Sequence, residues 1–333
     1  MKNIEKIMKT VSLVNVTRGK EIESSHSGAA VFIDSSGKVL KEWGDSNMLI
    51  YPRSSLKPIQ SLNLYKNKID EKLKLEESFL AFSTASHHGE DIHVNKAVGW
   101  LKQLGLKEED LACGEDWPKS LSDKFKAEKK YKQKRKVFHN CSGKHCAHLA
   151  VAKARDLPIK NYQKENHLIQ FELVEIIEEL AQEKIHSMGI DGCTLPNPFM
   201  SLKSFALISA RFADFKYLRE HGSTAKKIFN ACVKFPELTG GEKSINCLLT
   251  RAAGNIFFKN GAEGVYVALI PHLKSAIALK ISDGTQRASE IAMAGIVDEL
   301  NLMPKEKINS FLSKPILNSA NDVVGNIEFN KKI

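Results

Sequence analysis

Ser54 and Lys57 stand three residues apart in Arg53-Ser54-Ser55-Leu56-Lys57-Pro58, a spacing that puts a hydroxyl and an amine on one side of a helical turn. A serine attacks a carbonyl only after something takes its proton. A lysine can take it when burial or a neighbouring cation pulls its own pKa toward neutrality. The pair therefore has the makings of a serine acyl-transfer site, its hydroxyl near the positive end of a helix. The same residues also suit a helix cap followed by a solvated lysine, so the reading needs support from elsewhere in the chain.

Three further segments could supply it. Ala85-Ser86-His87-His88-Gly89-Glu90 follows the apolar run Ser78–Phe82, so Ser86 should emerge where a buried element ends. There it could pass a proton to a leaving group, or simply cap the next helix. In Phe257–Ala268, Lys259 sits between apolar residues, and Asn260-Gly261 and Glu263-Gly264 break the run into two short strands. A late Lys-x-Gly can complete a Ser-Lys site, although an ordinary hairpin with a solvated lysine has the same pattern. The third segment, His139–His148, is dense in donor atoms, and Cys193 lies in a glycine-flanked loop. Six cysteines in 333 residues do not resemble a secreted disulfide scaffold, and thiolates in such loops suit Zn²⁺. Spacing leaves Cys146, His145, His148 and His139 all open as partners of Cys141 and Cys193. Cys113, Cys232 and Cys247 read as small buried hydrophobes.

Those groups need a scaffold, and the pattern predicts an α+β fold. Short strands are expected at Val11–Val16, Ala29–Ile33 and Val39–Leu40, and again at Ile256–Phe258, Gly264–Leu269 and Ser275–Ile281. Helical spacing marks Leu73–Leu80, Val94–Leu104, His148–Ala154, Ile169–Glu183, Phe205–Phe215 and Gln286–Leu300. Terminal strands around a helical middle imply one two-lobed domain. Residues of about 1–57 and 250–333 would form an α/β lobe and about 58–249 a helical lobe, with the site in the cleft. A hydrophobic content of 42% is enough for a sizeable core. The scattered charges of Met1–Thr10 leave no apolar signal core, and no run approaches the roughly 18 apolar residues of a membrane span. Reduced thiols then point to the cytoplasm. Much of the net charge of +10 lies between Lys119 and Lys136. With Tyr131 its single aromatic, that run reads as a solvated linker or helix face, not as a nucleic-acid platform.

The segments Arg53-Ser54-x-x-Lys57-Pro58, Ala85-Ser86-His87-x-Gly89-Glu90 with His93, and Asn140-Cys141-Ser142-Gly143-Lys144-His145 occur in that order. Asp191-Gly192-Cys193, Lys259-x-Gly261-Ala262-Glu263-Gly264 and Lys280-Ile281-Ser282-Asp283-Gly284 come after them. Taken together the chain resembles the rhizobial-type, or class 3, L-asparaginases, from about Val11 to about Gly295. The resemblance implies a serine β-lactamase-like fold shared with Ser-Lys glutaminases: an antiparallel sheet from the N- and C-terminal segments, flanked by helices, with a mostly helical central lobe. It implies two tandems, Ser54 with Lys57 and Ser86 with Lys259, with Ser54 acylated by L-asparagine. It implies a zinc site of Cys141, Lys144 and Cys193, which leaves Cys146 and His148 outside the shell as departures from the family pattern. Arg53, His93, Asp191, Gly261 and Glu263 are the substrate-binding candidates, Arg53 by its fit to a carboxylate. Family members tend to be homodimers. Readings of other kinds are a non-catalytic zinc or thiol module, and a Ser-Lys hydrolase of another amide, such as a glutaminase or a β-lactamase-like peptidase.

Overall fold

A computed structural model describes residues 9–64 and 68–332, and the chain divides into two units. The first comprises Met1–Ser55, Met200–Ala213 and Ala252–Ile333; the second comprises Leu56–Phe199 and Asp214–Arg251.

The first unit is built on β-structure because its apolar runs are short, β-branched and bounded by turn residues. Among its described residues eight strands form one sheet, in the order Ser313–Leu317, Val323–Phe329, Val11–Arg18, Glu21–Asp34, Ser275–Ile281, Val265–Ile270 and Phe257–Asn260. Val39–Trp43 adds to Glu21–Asp34, and every pairing is antiparallel. Val265–Ile270 is buried at all six positions, as an unbroken apolar strand covered on both faces must be. Helices Leu202–Ala213 and Gln286–Glu299 both pack on it. Leu49–Ile50 pairs with Met200 and Ser201, which leads the chain into the first of those helices.

The second unit is mostly helical. Its centre is the helix Ser142–Ala154, in which every residue from Ser142 to Ala152 is buried. Ala147, Ala150 and Ala152 keep it slim enough for Glu77–Ser83, Asp91–Gln103 and the 3₁₀ turn Ser61–Leu64 to pack against it. Gly143 has a sharper role: a Cβ there would stand 2.2 Å from the carbonyl oxygen of Phe82. Only glycine lets these two helices approach so closely.

The expected terminal strands are all present, most of them longer than predicted, and the α+β class holds. Several elements differ. The helix expected at Leu73–Leu80 is instead a single turn, Ile69–Lys72, followed by Glu77–Ser83, because Lys74 adopts the left-handed conformation (φ 48°) and stops the first. Of the two readings of the basic run, linker or helix face, the structure shows a helix, Leu121–Tyr131, whose start is capped by the Ser120 hydroxyl accepting from the Asp123 amide. Helix Gly222–Lys234 and the strands Ser313–Leu317 and Val323–Phe329 carry no expectation from the sequence. Among the described residues no helix is long and apolar enough to cross a membrane.

Candidate active site

In the first unit, Ser54 lies in a 3₁₀ turn, Arg53–Leu56, and not at the start of a regular α-helix. The turn is tight. Arg53 holds a φ of 55°, a region that costs a residue with a side chain on the order of 1 kcal/mol. The Ser55 amide and hydroxyl both donate to Pro52 O, at 3.3 and 2.5 Å. Gly261 backs the turn: a Cβ on it would meet Pro52 O at 2.6 Å and the Ser55 nitrogen at 3.3 Å. The Asn260-Gly261 pair thus has a physical purpose, a bare backbone pressed against the segment that presents Ser54. One residue before that pair, Lys259 is wholly buried in its strand and donates to Asn260 O at 2.8 Å. Glu263 sits at φ 58° with its carboxylate against Gly284, while Lys280 donates to the Glu263 carbonyl at 2.5 Å.

In the second unit, a buried polar cluster gathers around two lysines. Lys57 is fully buried, opens the short helix Lys57–Gln60, and donates to Ala85 O. Its Nζ lies 2.9 Å from Ser86 Oγ and 3.2 Å from Cys141 Sγ. Burial pulls the Lys57 pKa below the usual lysine value, with Lys144 adding to the effect and Cys141 opposing it. Lys144, equally enclosed, is pushed the other way. Burial disfavours its charge, but the Cys193 and Cys141 sulfurs and Asp191 more than offset this and hold it above the ordinary range. Its Nζ donates to Cys193 Sγ at 3.2 Å.

The two thiols are pushed in opposite directions. A hydrogen bond from Cys193, outweighing burial and helped by Lys57 and Lys144, keeps Cys141 well below the usual thiol range. That bond and burial raise Cys193 correspondingly. The implied zinc ion can be tested against this chemistry. Two soft sulfurs and an amine converge at one buried point, a donor set that suits zinc with a fourth position left for water. To bind, the amine would have to lose its proton, against the sulfurs and Asp191 that hold its pKa up. Among the described residues no group of three or more His, Cys, Asp and Glu gathers to hold a metal. Cys146 and His148 lie further along the same helix: Cys146 is buried, with its sulfur 3.9 Å from Ala97 O, and His148 is buried too. Asp191 is half-buried in its loop, its carboxylate accepting from the Gly192 amide at 2.6 Å.

The loop bearing Ser86 is pinned from both sides. The Ser86 amide donates to Thr239 O at 2.8 Å and the His87 amide to Asn140 O at 3.1 Å. His87 is itself buried, its Nε2 2.8 Å from Ser142 Oγ. The candidate His93 is wholly buried as well, stacked on His87 with ring centroids 4.8 Å apart and Nε2 bonded to Glu237 O at 2.9 Å. Sequence reasoning assigned no role to His87 or Ser142. Each is adjacent to a candidate residue, but nothing in spacing joins the two.

The model of one protein family, described as L-asparaginase II, matches residues 14–329. No curated protein matches the sequence. Among solved structures, Mglu in its native form aligns with a TM-score of 0.49 at 11% identity, over 83% of this chain and 64% of that one. This chain therefore spans less than two thirds of that protein. A β-lactamase from Mycobacterium bovis aligns with a TM-score of 0.42 at 14% identity, over 82% of this chain and 94% of its own. A Bacillus glutaminase gives 0.37 at 13% identity, over 83% and 91%.

Proposed function

The chain belongs to the L-asparaginase II family, and from that premise we propose that it is an amidohydrolase releasing L-aspartate and ammonia from L-asparagine through a Ser-Lys acyl-enzyme. The observation that carries the proposal is the Lys57 amine: wholly buried, lowered in pKa by that burial, and 2.9 Å from the hydroxyl of Ser86, the second serine of this reading. A solvated lysine has none of these properties, and burial that disfavours the ammonium is what lets such an amine take a proton nearer neutral pH.

In this reading Ser54 is the nucleophile and Lys57, three residues on, its base; the hydroxyl found on that amine is the one of Ser86, which joins the base to the proton relay. The Ser54 hydroxyl adds to the side-chain amide carbon as its proton leaves for the amine. Ser86 returns a proton to the departing ammonia, with Lys259 as the second amine. Water then cleaves the aspartyl ester. Arg53 pairs with the substrate α-carboxylate, and Asp191, Glu263, Gly261 and His93 complete the substrate-binding set. Cys141, Lys144 and Cys193 would hold a zinc ion, which when bound supplies a Lewis acid able to polarise a carbonyl or brace the substrate. Residence in the cytoplasm as a homodimer, without a membrane or nucleic-acid partner, belongs to the same reading; a monomeric mass by light scattering would remove the dimer from it.

The test is ammonia release from L-asparagine and L-glutamine in parallel, with Ser54→Ala as control. Turnover of asparagine lost in the variant supports substrate class and nucleophile together. Equal turnover in the variant rules out the Ser54 mechanism. Faster turnover of glutamine changes the substrate but keeps the reaction class, since one methylene is worth only roughly 1–3 kcal/mol of discrimination.

A further inference from the structure

His87 is locked in one tautomer. The Gly89 backbone N–H, which can only donate, points at Nδ1 from 3.0 Å. Nδ1 must therefore present its lone pair, and the ring proton of a neutral imidazole resides on Nε2. From there it donates to Ser142 Oγ at 2.8 Å, leaving the Ser142 hydroxyl proton to donate to Val137 O at 3.3 Å. Every polar atom of the two side chains is thereby committed in one direction. Phe82 and His93 stack on the ring, at 5.4 and 4.8 Å between centroids, and remove its freedom to turn.

The two ends of this strut matter. One is the peptide directly after Ser86, whose hydroxyl faces Lys57. The other is the residue directly after Cys141, whose sulfur faces the same amine. We propose that His87 is a positioning residue that holds the Ser86 and Cys141 segments at a fixed separation, so that Ser86 Oγ and Cys141 Sγ stay together on the Lys57 amine. The proposal rests on the amidohydrolase reading for its catalytic consequence, though not for its geometry.

Three single variants, one double variant and two measurements test it. Ser142→Ala removes one hydroxyl and leaves the ring in place; His87→Gln keeps an amide donor near the Nε2 position, and His87→Ala keeps neither. The strut predicts that Ser142→Ala and His87→Ala lower kcat for asparagine by about 30-fold or more with KM within about threefold, that the double variant loses no more than the worse single one, and that His87→Gln recovers about tenfold. Hydrogen exchange resolved by peptide is the second measurement. Amides of 84–89 and 139–143 should exchange at least about tenfold faster in Ser142→Ala, with helix Gly222–Lys234 unchanged. Unchanged exchange in those peptides overturns the strut, whatever the enzyme's substrate. Faster exchange with kcat unaltered overturns the positioning role. If His87→Ala does not fold, Ser142→Ala decides both points alone. Should the wild-type protein fail to release ammonia from either amide, the amidohydrolase reading falls, and exchange still judges the strut.

Discussion

The two serine-bearing segments are held in opposite ways. Ser54 is presented by local backbone geometry, a left-handed Arg53 and a tight turn on Pro52 O, with one glycine backing it. Ser86 lies in an irregular loop whose position is set from far along the chain, by Thr239, Asn140 and the buried Lys57. The first arrangement concentrates strain in four residues. The second spreads its dependence over segments more than a hundred residues apart. A single change should therefore disable the first at once, while the second should give way piecemeal.

The largest expected difference is chemical. Ser54→Ala should cut amide hydrolysis by at least about 10³-fold, and Ser86→Ala by roughly 10²-fold, both with unchanged melting temperatures. If the Ser86 variant proved the worse of the two, the assignment of nucleophile and relay would be reversed. Next come the two glycines. Gly143→Ala sets a Cβ 2.2 Å from a helix carbonyl and Gly261→Ala sets one 2.6 Å from Pro52 O. Each should cost about 1–3 kcal/mol in denaturant unfolding, the Gly143 variant more. The Gly261 variant should also lose roughly 10–100-fold in kcat through displacement of the Ser54 turn, and equal loss of activity per kcal/mol in both would erase the contrast.

Arg53 sharpens the same point from the binding side. Arg53→Ala should raise KM for asparagine by about 10- to 100-fold, the worth of a charge-assisted carboxylate contact, with kcat less affected. An unchanged KM would leave the guanidinium no part in substrate capture.

The smallest effect concerns pH. Burial lowers His93 to about 4 and His148 to about 3. Because these folded-state values lie below the unfolded value near 6.5, the unfolded chain takes up protons first. Their contribution is fully present above pH 6.5 and lost as pH falls through the folded values. By pH 5 each should have cost on the order of 2 kcal/mol, visible as a falling melting temperature between pH 7 and 5. His93→Phe should flatten that slope by only its own share, because His87 and His145 are also held well below the ordinary value by burial and lose protection over the same range.

The contrast also explains what the residues alone could reveal. Gly261 and the Ser-x-x-Lys spacing are local signals, and both singled out segments that meet at the Ser54 turn, although the turn itself and the Gly261 contact with it come only from the structure. Strands such as Val265–Ile270 announced themselves through unbroken apolar runs. The strand Ser313–Leu317 did not, because its exposed positions and the proline at 315 break the alternation that marks a strand, and Val323–Phe329 carries a glycine and an asparagine at its centre, residues depleted in strands. Helix Gly222–Lys234 begins with glycine, serine and threonine, poor helix formers that tertiary packing overrides. In the site, Cys141, Lys144 and Cys193 came from family resemblance, since donor-rich spacing left four other partners open. The strut from His87 to Ser142 was beyond reach for a plainer reason: its partners lie 55 positions apart, and hydrogen-bond direction is not written in composition.

The strand Glu21–Asp34 meets its partner Ser275–Ile281 across a register that pairs Gly28 with Ile281, roughly 250 residues later. A ribosome adding about 5–20 residues per second needs on the order of 12–50 s to deliver that partner. Throughout that interval the apolar stretch Ala29–Ile33 of the nascent chain has one long edge unpaired, a template for the wrong strand. Synthesis itself thus opens a window in which a chaperone that grips extended apolar segments competes with aggregation, and the window closes only when residue 281 leaves the exit tunnel.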